Sequence, residues 1–438
     1  MTIPEPEQPY PDARGRASAL PKGRAGERPR KPDAPLRVVF VNHVAGLGGA
    51  ERSLVSLLRR LSALGVEPFA VVPPGPLSDA LRTLGIHVAT LPACRLHRTR
   101  NPLTLAAQFL WMRRLNRVVR ELSARVGADL VHANSVATGV ALAPRGYRLP
   151  PMLWHCRDLS HPPRVLRWLL PRCGAVIAIS RVVERYLAQV APECAGHVPV
   201  IYNGIDPEDV PVRAGREAVR RELGAAPDTP VLISVGQLTP WKNWDLLLAA
   251  AAELEQTLPA ARWWMVGEDT YGDNAAYAER IRAAAPGNVV FTGWREDVPD
   301  LVAAAEVLVH AATAEPLGRV ILEAMLLGTA CVAPAAGGIP ELLEAGRSGW
   351  LVQPGNAGAL AQGAQALLQH PDYRTRLAAG AQARAREEFS GQRTAEETVR
   401  VYRQVLARGT TGEGPGAPAG DTGETPVPPG GGADAGRV

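Results

Sequence analysis

The chain has 438 residues, 46% of them hydrophobic and 21% charged. That length suits two domains of about 150–200 residues each, and the apolar content excludes a mostly disordered chain. Forty-eight Lys and Arg against 43 Asp and Glu leave a net charge of +5, a mild balance that gives no support to a nucleic-acid partner and leaves an anionic membrane surface open.

The five cysteines, Cys94, Cys156, Cys173, Cys194 and Cys331, form no Cys-x-x-Cys pair. This argues against a zinc ribbon or a disulfide framework and for a reducing compartment. No apolar run reaches the roughly 18–20 residues of a membrane span. The first 35 residues carry charge but no apolar h-region of a secretory signal. The expected location is cytoplasmic, with peripheral contact at the inner face of the membrane left open.

In chain order, residues 1–35 are rich in Pro, Arg and Glu, lack periodicity, and are expected to form a disordered arm. Leu36–Val44 reads as a buried strand, followed by Gly46-Leu47-Gly48-Gly49 and a helix. Strands FAVVP and HVATLP flank a helix near Leu77–Leu84, and a long amphipathic helix spans Pro102–Val126. ADLVHANS, PMLWHCRD and Gly174–Ser180 read as further strands. Val198–Gly204 ends this series and Ile205–Gly215 reads as a linker. A second series opens at Pro230–Gln237 and continues through WWMVGE, NVVFTGW, VLVHAA, TACVAPAA and GWLVQP. Strand-helix alternation at this spacing predicts parallel sheets covered on both faces. The expected fold class is therefore α/β, with two doubly wound Rossmann-like domains, 36–205 and 206–388, and a cleft between them. A helix at 389–408 and a disordered Gly/Pro-rich tail at 409–438 complete the expected organisation. Ligands of such sheets bind at the carboxyl ends of the strands, so the cleft is the expected site.

Four segments carry candidate chemistry. Gly46-Leu-Gly-Gly-Ala-Glu51 places glycines before a helix N-terminus, where backbone N–H groups can meet a phosphate. It lacks the third glycine of the dinucleotide pattern, because position 51 is Glu, and it lacks the Lys-Ser/Thr of an NTPase loop. A plain tight turn fits it equally. Glu315-Pro-Leu-Gly-Arg-Val-Ile-Leu-Glu323 separates two carboxylates by seven residues. A helix starting near Pro316–Leu317 would turn both toward one cleft, where carboxylates suit paired sugar hydroxyls; a helix-start charge plus a surface charge is the alternative. Ser234-Val-Gly-Gln-Leu-Thr-Pro-Trp-Lys242 brings a lysine to the next helix, either to offset diphosphate charge or simply solvated. Gly337-Gly338-Ile339-Pro340-Glu341 again sets glycines between a strand and a helix.

In this order the segments resemble the family 4 retaining glycosyltransferases, which have the two-domain GT-B fold, over about Leu36–Leu406. Glu315–Gly328 resembles the family's E-x7-E segment, Val235–Asn243 its VGRL…KG segment, and Asn203-Gly-Ile-Asp206 its NGVD segment. Gly337–Glu341 resembles GGIPE, and Ser348-Gly-Trp-Leu-Val resembles xGxLV. The resemblance implies that Glu323 binds the ribose of a nucleotide-sugar and that Glu315 contacts the donor sugar. It implies that Lys242 holds the diphosphate and that Gly48 and Gly49 lie against phosphate or sugar. His155 would stand beside the donor sugar, making Glu315, His155 and Lys242 the catalytic set. The backbone at Gly293–Arg295 would lie by the base, and Gln237, Leu317 and Gly318 would sit on the donor-binding segments. Cations and amides that meet the leaving diphosphate make a metal unnecessary, and the chain contains no Asp-x-Asp. No cofactor is expected, the nucleotide-sugar being a substrate.

Three positions depart from the family pattern. Gln237 replaces an arginine, Leu317 a phenylalanine and Ala312 a serine. Gln237 removes a cation, so either donor binding is weaker or Arg319 or Arg295 compensates. His132 and His310 end strands and are open to structural or functional roles. Arg95, His97, Arg98, Arg100, Arg113, Arg114, Arg117 and Arg120, with Trp111 nearby, make either a patch for anionic lipid headgroups or a solvated basic face. The function expected is transfer of a sugar, with retention, to a glycan, lipid-linked or small-molecule acceptor, most commonly in building polysaccharide or glycolipid. A nucleotide-sugar epimerase and a non-catalytic nucleotide-sugar-binding homologue are the alternatives, with a dinucleotide-dependent oxidoreductase behind them.

Overall fold

A computed structural model describes residues 34–94, 99–144, 149–159, 161–194, 198–270 and 272–411. The expected arm and tail lie outside the described residues except at 34–35 and 409–411, and so do Arg95, His97 and Arg98.

Two six-stranded parallel sheets form. The first contains β1 (Leu36–Val41), β2 (Val66–Val72), β3 (His87–Thr90), β4 (Leu130–Ala133), β5 (Met152–Cys156) and β6 (Ala175–Ala178), in the order β3-β2-β1-β4-β5-β6. The second contains β7 (Val231–Val235), β8 (Arg262–Val266), β9 (Val289–Gly293), β10 (Val307–Val309), β11 (Ala330–Pro334) and β12 (Trp350–Val352), in the order β12-β11-β10-β7-β8-β9. Val198–Gly204 adds no strand and touches the first sheet through a single bridge from Val200 to Ala178. Among the described elements, helix Val136–Leu142 stands between β4 and β5, where strand-like runs dominate the sequence.

Each sheet is apolar on both faces because helices cover both, which is why its strands read as continuous apolar runs. In β1, Val39 and Val41 pack with Trp111, Leu115 and Val119 of helix Pro102–Val126. Val38 and Phe40 face the other way, onto Leu54, Leu57 and Leu58 of helix Gly49–Leu61. That second face is completed by Ala395, Val399, Tyr402 and Val405 of the last helix, Gly391–Thr411, which returns to the first sheet. In the second sheet, Leu232 packs with Leu247 and Leu254, whereas Val231 and Ile233 join the cluster of Ile321, Leu322 and Met325.

The junction is tied by charge. Arg60 of the first helix donates to Asp206 at 2.7 Å and pairs with Glu208 at 2.8 Å and Asp209 at 3.0 Å. Gly391 N donates to Asp206 as well, so one linker carboxylate holds both the first and the returning helix. In both sheets the strand order reverses between the first and fourth strands, β1 and β4 or β7 and β10. Loops leaving those strands diverge and open a crevice.

Tyr402 locks the returning helix: it is fully buried and its hydroxyl lies 2.6 Å from His132 Nδ1. Tyr402→Ala is expected to lower stability by about 3–5 kcal/mol, read from urea unfolding followed by circular dichroism.

Candidate active site

The residues of the E-x7-E segment meet those of the lysine segment at the crevice of the second sheet. Lys242 follows β7 on a short turn, Pro240–Lys242, and His310 and Glu315 follow β10. Lys242 Nζ donates to Glu315 Oε2 at 2.7 Å, and His310 Nε2 lies 3.2 Å from the same oxygen. Lys242 is thus ion-paired and largely covered, with a side-chain exposure of 15%. Its Nζ also stands 4.0 Å over the Trp241 ring. The turn is held by Asn243, in the left-handed region at φ 57, whose Nδ2 donates to Ala311 O at 3.0 Å.

Burial pushes the Glu315 carboxyl up, but the Lys242 ammonium and the His310 hydrogen bond outweigh it and hold the group down to about 2. Glu315 is therefore a carboxylate at neutral pH. Burial lowers the His310 imidazole, only partly offset by Glu315.

The helix carrying the second carboxylate begins at Arg319, not at Pro316–Leu317 as the sequence predicts. Gly318, at φ 104, takes the chain out of helical conformation just before it. Glu323 therefore lies little more than one turn into the helix. It pairs with Arg319, Nε to Oε1 at 2.8 Å, and both side chains are about one-tenth exposed. Neither carboxylate is a free surface charge. Leu317 is buried and fills the core below.

Gly337 and Gly338 press against the Glu315 backbone. Gly338 N donates to Glu315 O at 2.8 Å. Gly337 sits at φ 58, and a Cβ there would collide with the Glu315 carbonyl. The glycine pair therefore sets the position of the first carboxylate rather than meeting a ligand by default. From the same loop, Glu341 accepts from Arg181 N at 2.8 Å, Val182 N at 2.9 Å and the Tyr202 hydroxyl at 2.9 Å. It caps helix Arg181–Val190 of the other domain, favourable at a helix N-terminus. Ser180 Oγ donates to Pro316 O at 2.5 Å, adding a second tie.

From the first domain, Gly48 caps and Gly49 opens helix Gly49–Leu61. A Cβ on Gly49 would lie 3.7 Å from the Arg319 side chain, and Arg319 Nη1 donates to Ser53 Oγ at 2.9 Å. The glycine turn therefore faces the Glu323 pair directly across the cleft. Glu51 is buried; desolvation raises its carboxyl, and Asn42 Nδ2 donates to it at 3.2 Å.

His155 stands behind Arg157, whose guanidinium feels the Glu51 and Arg319 charges. It shares the face of the first sheet that Tyr402 covers, fully buried, with its ring 5.3 Å from that of His132. Its Nδ1 lies 3.3 Å from Arg157 Nη2 and its Nε2 has no partner. No contact described for it reaches Glu315 or Lys242. Burial, then the Arg157 charge, pushes both imidazoles down, His132 to about 3 and His155 well below its ordinary value. Arg157 donates to Asn134 at 3.0 Å and to Asn203 at 2.7 Å. The sequence analysis assigns no role to Arg157 or Asn134 and places Asn203 only in the NGVD-like segment; polar residues at exits of otherwise apolar strands are the available signal.

Gly293 ends β9 at φ 71, and its carbonyl accepts from Gly267 N at 2.8 Å. Arg295 beside it is bound by Asp297 at 2.8 and 2.7 Å and by Glu222 at 2.6 Å. Those partners raise its already high value further. Gln237 is half-buried, and its carbonyl accepts from Trp244 Nε1 at 2.7 Å. Trp111 turns inward, donating from Nε1 to Pro92 O at 2.8 Å, and takes no part in the basic patch.

The family comparisons agree with this layout. Residues 47–209 match the model described as "Glycosyltransferase Family 4", and residues 215–384 match "Glycosyl transferases group 1". The alpha-maltose-1-phosphate synthase of Mycolicibacterium smegmatis is 30% identical over 64% of this chain and 80% of its own. The lipopolysaccharide core biosynthesis glycosyltransferase LpsE of Rhizobium meliloti is 26% identical over 83% of this chain and 97% of its own. Among solved structures, Anabaena HepE in complex with UDP and glucose superposes with a TM-score of 0.72 at 26% identity, covering 84% of this chain and 99% of its own. The chain belongs to the family 4 glycosyltransferases and is a nucleotide-sugar-dependent glycosyltransferase of GT-B fold.

Two outcomes follow from the geometry. Gly337→Ala is expected to displace Glu315, reducing turnover and lowering the melting temperature together, checked by activity and thermal unfolding. The folded-state value of His132 is depressed, so the stability it contributes is complete above pH 6.5 and drains away as pH falls toward about 3. In His132→Asn, the slope of unfolding free energy against pH between 6 and 4 should be shallower by about 1.4 kcal/mol per unit.

Proposed function

We propose that this enzyme transfers a sugar from a UDP-linked donor with retention at the anomeric carbon and without a metal. The observation that carries the reading is the convergence of Lys242 on Glu315, beside Glu323 and opposite Gly49, at the crevice of the second sheet. In this reading Glu323 accepts the ribose hydroxyls and Glu315 orients the donor sugar. Lys242 and the free N–H groups of helix Arg319–Leu327 take the negative charge that develops on the leaving diphosphate. UDP is supported by HepE, whose structures hold UDP and UDP-glucose. His155 holds Arg157 through Nδ1. The names of the relatives favour neither an epimerase nor a non-catalytic binder. Their diversity, maltose-1-phosphate synthesis and lipopolysaccharide core biosynthesis, leaves glycan, glycolipid and small metabolite as the acceptor classes.

Peripheral membrane contact is supported by helix Pro102–Val126. Leu103 is 80%, Leu110 65% and Phe109 54% exposed, and Arg113, Arg114, Arg117 and Arg120 are exposed further along. Apolar tips with a basic row suit an anionic interface. Among the described residues, no helix is long and apolar enough to cross a membrane.

UDP-glucose turnover, as slow hydrolysis or transfer to acceptor extracts, should persist in EDTA. It should fall by about 10²–10³ in Lys242→Ala. Proton NMR of the product should show the anomeric configuration of the donor; an inverted product, or an epimerised donor, would refute the reading. Sedimentation with phosphatidylglycerol vesicles, weakened in Leu103→Ser/Leu110→Ser and absent with phosphatidylcholine, tests the membrane contact.

A further inference from the structure

A nucleotide-sugar brings two negatively charged phosphoryl groups into a cleft where two of the cations are already paired. Lys242 is paired with Glu315 and Arg319 with Glu323. Gln237, at the place of a family arginine, supplies no charge. Two other cations stand near the cleft. Arg295 is gripped by two carboxylates, Asp297 and Glu222. Arg157 is buried, with Asn134, Asn203 and His155 around its guanidinium.

Arg319 differs from Arg295 in having one carboxylate partner, and from Arg157 in standing at the contact with the opposite domain. It is the first residue of helix Arg319–Leu327, whose N-terminus has no side-chain cap. Its stem lies along Gly49, the glycine turn of the opposite domain. One of its two side-chain partners is the Ser53 hydroxyl, a neutral acceptor that also donates to Gly49 O at 2.9 Å. The other is Glu323, the carboxylate assigned to ribose. An ionised carboxylate offers about four acceptor sites, and a ribose hydroxyl that takes the Oε1 site held by the Arg319 Nε–H displaces it. A guanidinium then exchanges one carboxylate for a diphosphate, an anion whose geometry suits its fork of donors.

We infer that Arg319 is the second diphosphate-binding cation of this enzyme, stored on Glu323 and Ser53 in the donor-free cleft and transferred to the donor when ribose takes Glu323. The inference rests on the ribose assignment of Glu323 and deepens it. It makes the loss of charge at Gln237 a relocation across the diphosphate rather than a defect. It also couples donor binding to the domain contact, because the same guanidinium bridges to Ser53.

Calorimetric titration of the full chain with UDP and with millimolar uridine tests it. In Arg319→Ala, UDP binding should weaken by on the order of 10- to 100-fold. Uridine binding should stay within about twofold or tighten, since Glu323 is freed of its competitor. Arg319→Lys should retain much of the UDP affinity. Gln237→Arg added to Arg319→Ala should restore about tenfold or more. If Arg319→Ala weakens uridine and UDP alike, Arg319 merely supports Glu323 and the inference is wrong. It is equally wrong if UDP binding is unchanged. The ribose assignment fails separately, if Glu323→Gln binds uridine and UDP as the wild type does; a wild type that binds neither overturns the UDP reading on which the inference rests.

Discussion

The ion pair between Lys242 and Glu315 organises the cleft. It joins the exits of β7 and β10, the two strands between which the second sheet changes direction, and it is buried enough that neither charge is stable there alone. Much of the local backbone answers to it. Asn243 adopts a left-handed conformation to present the lysine, and Gly337 and Gly338 leave no side chain between their loop and the Glu315 carbonyl. The arrangement also explains how a carboxylate can sit so deep and remain ionised: an ammonium and an imidazole share one of its oxygens. The lysine and its carboxylate are thus fixed in place before any ligand arrives, an arrangement that is preorganised rather than assembled on demand.

A second layer of polar contacts sets how the domains meet. Glu341 reaches from the donor side to cap a helix of the first domain, and Ser180 reaches back to Pro316. Arg60 gathers three linker carboxylates, and the final helix closes over the first sheet through Tyr402. These ties keep the glycine turn at Gly48–Gly49 facing Arg319. Fold stability and site geometry are therefore not separable here: the loop that caps one domain also positions the acid of the other.

The α/β architecture was legible because both sheets are buried on two faces, which turns strands into short apolar runs with helices between them. The E-x7-E and glycine segments were legible because their residue types and order are specific. The limits are equally physical. Helix periodicity does not foresee that Gly318 delays the helix start by leaving helical conformation, which moves Glu323 toward its beginning. A strand apolar on both faces gives no sign of which face His155 takes, and it takes the one under Tyr402. The bond from Arg319 to Ser53 spans 266 positions, beyond the reach of local pattern. Arg295 looked as available as Arg319 in the sequence; only the fold brings Glu222 to it.

A crystal structure of the enzyme grown with UDP tests the central claim most directly. The account predicts diphosphate oxygens within hydrogen-bond distance of Lys242 Nζ and ribose hydroxyls on the Glu323 carboxylate, between the two sheets. Nucleotide bound away from this cleft, or in it with Lys242 making no phosphate contact and Glu323 no ribose contact, would contradict it.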